Sequence, residues 1–132
     1  MKVLLLTDSF PPALGGIAAH VGALSTGLAS RGHEVRVLVV ADHNGCARYQ
    51  GVDVKSMKSV LSYLPGLCRN AFAPPFADAR LVEKVSEEIR LFTPDAVHAH
   101  GRVALSLARL KHRFEEIPLI ASIHDYFFCL SL

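Results

Sequence analysis

Apolar residues in this chain gather in short unbroken runs, separated by stretches where they recur at helical spacing. Val3–Leu6 is the first run. A run with no polar alternation predicts a strand buried on both faces, as in a parallel sheet. Asp8 to Gly16 follows with Pro11-Pro12 and Gly15-Gly16, which predicts a loop. Ile17, Val21, Leu24 and Leu28 then fall at spacings of 4, 3 and 4, a one-sided stripe that predicts a helix. Arg31 lies in its last turn, and Gly32 sits where a left-handed C-cap is expected. Val35–Ala41 is a second buried, β-branched run.

Residues 42–76 are less regular. Val52–Val54 predicts a short strand. Lys55, Lys58 and Arg69 are interleaved with Val60, Leu61, Tyr63, Leu64 and Leu67, and Pro65-Gly66 and Pro74-Pro75 break any long helix. The basic and apolar mix over 55–69 reads first as an amphipathic element of its own domain; contact with anionic lipid or an acceptor is the second reading. Asp78 is a candidate N-cap. Val82, Val85, Ile89 and Phe92 keep helical spacing, Glu83, Glu87, Glu88 and Arg90 are expected to face water, and Pro94 ends the helix. Ala96–Ala99 predicts a strand, Val103 to about Arg113 a helix, and Leu119–Ile123 a final strand.

The order strand-helix-strand-strand-helix-strand-helix-strand points to an α/β, Rossmann-like three-layer αβα domain with a mainly parallel sheet. In such a sheet ligands sit beyond the carboxyl ends of the strands, near the point where the winding reverses. That rule selects Asp8–Gly16, His98–Arg102 and His124–Asp125, the same segments in which Gly, His and Asp concentrate. Gly15 and Gly16 open a helix, where backbone N–H groups can approach a phosphate or pyrophosphate; the alternative is a loop that needs glycines only to turn. The loop is neither GxGxxG nor GxxxxGK[ST], so neither the dinucleotide fingerprint nor a Walker NTPase fits. His98 and His100 share a strand face, but with no third ligand evident nearby no metal is expected. His98 is expected to pack on its strand and His100 to hydrogen-bond at the cleft. His124 can hydrogen-bond a sugar hydroxyl or donate to developing charge; a histidine satisfied within a core-edge network is the plainer reading. His20 lies one turn into the first helix. His33, His43 and His112 are expected at the surface.

Composition narrows the classes. The chain has 132 residues, 51% hydrophobic and 20% charged, so it is neither disordered nor too short to bury a core. A formal charge of +2 is too small to suggest nucleic acid. No apolar stretch approaches the ~18 residues of a membrane span, and Thr7-Asp8 interrupts the first run too early for a secretory signal. Cys46, Cys68 and Cys129 are odd in number and widely spaced, which predicts reduced thiols in a cytoplasmic protein. The chain closes on IASIHDYFFCLSL, a strand and an aromatic run that would leave apolar surface for something to cover.

The segments MKVLLLTDSFPPALGGIAAHV, LASRGHEVRVLV, PDAVHAHG and PLIASIHDYFFC together resemble the N-terminal domain of family 4 glycosyltransferases, over nearly the whole chain and least over 43–77. The resemblance implies the N-terminal half of a GT-B fold, in which two Rossmann-like domains face a cleft. It implies a retaining enzyme that moves a sugar from a nucleotide-sugar donor to a sugar or lipid-linked acceptor, with no cofactor. By the same resemblance Gly15 and Gly16 approach the donor diphosphate and His124 lies at the reacting centre as the catalytic residue. His100 and Gly101 in the loop after it would line the acceptor side, and Asp8, His20 and Asp125 are cleft candidates from their places at the strand ends and on the first helix. The family's paired glutamates, seven residues apart in its C-terminal, donor-binding domain, have no counterpart here. Residues 1–132 are therefore expected to be an incomplete N-terminal, acceptor-side domain, inactive alone. The isolated chain is expected to be cytoplasmic, with peripheral contact at the inner membrane face as a second reading, and to form a homodimer through its exposed edge. A non-catalytic binding or regulatory module of the same fold is the alternative.

Overall fold

The computed structural model describes residues 1–63, 74 and 76–124. Its strands are β1 (Lys2–Thr7), β2 (Glu34–Ala41), β3 (Gly45–Tyr49), β4 (Val52–Lys58), β5 (Ala96–His100) and β6 (Leu119–Ser122). Its helices are α1 (Gly16–Ser30), α2 (Ala79–Phe92) and α3 (Ala104–Ala108). Tight 3-10 turns cover Val60–Tyr63 and Gly101–Val103. The sheet order is β3-β4-β2-β1-β5-β6, with only the β3–β4 pairing antiparallel. The winding reverses at β1, which lies between β2 and β5, so the carboxyl ends of β1 and β5 open the crevice expected of this topology.

Side chains alternate across the central strands even though the strands read as unbroken apolar runs, because both faces are covered. Leu4 and Leu6 join Leu38, Val40, Val97 and Ala99 beneath α2 and α3. Leu5 points the other way, with Val35, Val37, Val52 and Val54 beneath α1. The result is the predicted three-layer αβα arrangement. Leu4, Leu5 and Leu6 are fully buried, each removing surface worth about 1.5–3 kcal/mol.

Helix ends are closed by the expected residues. The N–H of Gly32 donates to Ala29 O and that of His33 to Leu28 O, a Schellman pair that needs the positive φ of +87° at Gly32. Asp78, almost fully buried, caps α2 by accepting from the Arg80 amide at 2.8 Å, and its second oxygen accepts from the Val60 amide at 2.6 Å. The Asp78 amide donates to Ser106 Oγ at 3.0 Å, so one residue ties α2, α3 and the 60–63 turn together.

Several expectations are corrected. A strand unseen in the sequence pattern, β3, precedes β4; its residues are exposed or half-buried and carry no apolar signal. β4 runs to Lys58 rather than stopping at Val54. The helix expected over 103–113 is regular only over Ala104–Ala108. Beyond it, i→i+3 bonds from Arg109, Leu110 and Lys111 tighten the chain. Glu88 does not simply face water. It is half-buried between Arg36, at 3.1 Å, and Lys55, and Arg36 stacks on the Phe92 ring at 4.4 Å. His33 is half-buried, 3.3 Å from the Met1 amine, whereas His43 and His112 are exposed.

Candidate functional site

The carboxyl end of β1 leads into the loop before α1. Thr7 is buried, and its hydroxyl both donates to Ser9 O and accepts from the Ser9 amide, turning the chain sharply away from the sheet. Phe10 is buried against the Tyr49 ring, edge to face. Pro11 packs so closely on α1 that a Cβ on Gly22 would lie 2.9 Å from its Cγ. These contacts hold the loop while its tip stays open. Gly15 has φ +140°, a conformation few other residues adopt, and a Cβ added at Gly15 or Gly16 would meet nothing within 4 Å. The N-cap residue of α1 is Gly15, which has no side chain to cap the helix. Its first amides have no partner within the helix and stand at the positive end of the helix dipole.

At the end of β5 the chain turns at Gly101, with φ +77°. A Cβ there would lie 3.1 Å from the Asp8 Oδ1, so Gly101 lets the Asp8 carboxylate press against the backbone. Asp8 and Gly101, predicted together for the cleft, are thus neighbours across β1 and β5.

Beside them lies a cluster of imidazoles. His98 and His100 project from the same face of β5, with ring centroids 4.0 Å apart. β5 and β6 pair in parallel with His100 opposite Ser122, so His124, two residues on, keeps the same face. His100 Nδ1 lies 3.1 Å from His124 Nε2, and His98 Nε2 lies 2.7 Å from Ser122 Oγ. His20 comes from the second turn of α1, with its ring centroid 5.5 Å from that of His100 and 5.2 Å from that of His124. His100 is fully buried; His20 and His124 are exposed.

Electrostatics follow from this crowding. Burial pushes His100 down to about 3, and the neighbouring rings of His98, His124 and His20 disfavour its charge further. Burial also lowers His98, assisted by His20 and His124. Both favour the neutral imidazole at neutral pH, so His100 carries a single ring proton. His100 Nε2 is buried without a hydrogen-bond partner. The tautomer that leaves no buried N–H unpaired has His100 Nδ1–H donating to His124 Nε2. His124 Nδ1–H then remains to donate to a ligand.

The structure therefore brings together Asp8, Gly101, His20, His100 and His124, with Gly15 and Gly16 at the mouth of α1. Asp125 lies outside the described residues, as do Cys68 and Cys129; Cys46 is exposed and free. The sequence pattern suggested His98 and His100 as the paired imidazoles on one face. The structure keeps that pair and adds His20 and His124 around His100. The parity of His100 and His124 on neighbouring parallel strands was the available signal, and it needed the strand register to be read. No helix among the described residues is long and apolar enough to cross a membrane.

The family model Glycosyltransferase Family 4 matches residues 14–131. A glycogen synthase of Mycobacterium tuberculosis is 27% identical, over 94% of this chain and 33% of its own length. An uncharacterised glycosyltransferase of Methanocaldococcus jannaschii is 30% identical, over 95% of this chain and 31% of its own length. Among solved structures, sucrose-phosphate synthase from Thermosynechococcus elongatus superposes with a TM-score of 0.74 at 15% identity, over 94% of this chain and 33% of that one. The catalytic domain of starch synthase IV from Arabidopsis thaliana, bound to ADP and acarbose, superposes with a TM-score of 0.63 at 15% identity, over 95% of this chain and 34% of that one. The chain spans about a third of the length of the relatives it matches.

Proposed function

The chain belongs to glycosyltransferase family 4, and on that premise we propose that it is the acceptor-side, N-terminal unit of a retaining enzyme that transfers a sugar from a nucleotide-sugar donor. One observation carries the reading: the glycine-opened start of α1 and the His100–His124 pair lie at the same carboxyl edge of the sheet, around the winding reversal. A sugar diphosphate needs both. Its leaving group gathers negative charge, which free amides and a helix dipole stabilise without a metal ion. Gly15 and Gly16 have the open backbone for that role. His124, exposed and positioned by buried His100, offers Nδ1–H to the sugar or to charge developing at the reacting centre. Asp8, Gly101 and His20 would shape the acceptor side, with Asp125 as the adjoining candidate.

The names of the relatives support nucleotide-sugar and sugar substrates; a lipid-linked acceptor and contact with the inner membrane face are second readings, for which Lys58 and Arg80 around the exposed Tyr63 ring are the candidate surface. A cytoplasmic location and reduced cysteines accord with this chemistry. β6 is one of the two edge strands among the described residues, with Ile120 and Ile123 exposed, so a second copy or further chain is expected to cover it. These 132 residues supply one wall of the cleft, and transfer is expected only with the facing wall present. The test is a nucleotide-sugar turnover assay on the isolated chain and on the full-length parent. Transfer by the parent alone is the expected result; clear transfer by the isolated chain would refute the division of labour.

A further inference from the structure

We propose that His20, His100 and His124 form a binding site for a transition-metal dication of the Zn²⁺ class. One ring nitrogen from each residue lies within 4.8 Å of the others. His100 Nδ1 and His124 Nε2 are 3.1 Å apart, close to the ~3.3 Å that separates two ligands at ~2.0–2.1 Å from a tetrahedral zinc ion. Ring placement agrees independently. The three centroid separations are 5.5, 5.2 and 5.4 Å, and three imidazoles on one tetrahedral zinc place their centroids about 5 Å apart.

The chemistry is equally suited. Metals take neutral imidazole, and the cluster packs the imidazoles of His20, His98, His100 and His124 against one another. His100 is fully buried, and both its nitrogens are available. Nδ1 faces His124 Nε2, and His100 Nε2 has no hydrogen-bond partner among the described residues. A dication replaces the proton between the two rings and turns three crowded rings into ligands. The residues come from three places in the fold: α1, β5 and the segment after β6. Three protein ligands leave a fourth position for water or an anion. His98, held on Ser122 and stacked on His100, acts as a positioning residue. The site shares His20, His100 and His124 with the proposed sugar-transfer cleft, and its test reads metal binding alone.

Titration of the full 132-residue chain with Co²⁺ tests it. The expected result is one equivalent bound, with the strong visible d–d bands of a four-coordinate nitrogen site, displaced by Zn²⁺. His20→Ala and His124→Ala remove exposed side chains, so the fold should persist by circular dichroism, and each should weaken binding by at least about tenfold. His33→Ala, which removes the imidazole beside the N-terminal amine, should leave binding unchanged. Absence of the four-coordinate spectrum, or binding undiminished in either His20→Ala or His124→Ala, would overturn the site.

Discussion

His100 and Gly101 show how single residues couple stability to the site. His100 is buried neutral and its folded value is depressed to about 3 from 6.5. Above pH 6.5 neither the folded nor the unfolded chain protonates it, and its effect on stability is constant. As pH falls below 6.5 the unfolded chain takes up the proton and the folded one refuses it, so stability is lost on acidification. For this one group the loss is about 1.4 kcal/mol per pH unit until the folded value is reached. Urea denaturation of the chain from pH 7.5 to pH 4.5 should show the decline, and His100→Leu should flatten it. An equal slope in that variant would assign the acid sensitivity elsewhere. Gly101→Ala meets two costs, a positive φ and the Asp8 carboxylate at 3.1 Å. A destabilisation of about 1–2 kcal/mol is expected from the backbone alone, measured by the same denaturation. The glycines and histidines were legible as candidates because they stand where strands end. Their grouping was not, since it depends on parallel register and on which face of α1 meets the sheet.

At the scale of elements, Asp78 is the principal tie on the α2 face. Its carboxylate satisfies one amide of α2 and one of the 60–63 turn, while its own amide reaches α3. Asp78→Ala removes a cap and leaves the Val60 amide without its acceptor, a combined loss of about 3 kcal/mol. Thermal unfolding of the variant checks this; a near-neutral result would show that the three elements dock without it. Sequence periodicity found the strands and helices that bury apolar stripes, β1, β2, α1, α2 and β5, because burial leaves a periodic record. It missed β3, which is exposed and pairs only along β4. It lengthened α3 because Val103, Leu107 and Leu110 fit a helix or a string of tighter i→i+3 turns equally well, and only the hydrogen bonds distinguish them.

For the whole molecule, the sheet order makes the site. The winding reversal at β1 opens a crevice between β1 and β5, and the pairing of β6 beside β5 carries His124 to its rim. Unbroken apolar strands and helices on both faces made this architecture readable before any coordinates. The chain spans about a third of the length of the relatives it matches, which is why donor and acceptor chemistry is proposed through the family rather than read from the fold. The central claim is that His124 stands at the reacting centre of a glycosyl transfer. Steady-state kinetics of His124→Ala in the full-length parent test it most directly. The account predicts a fall in kcat of about 100-fold or more, with donor KM nearly unchanged; an unaltered kcat would contradict it.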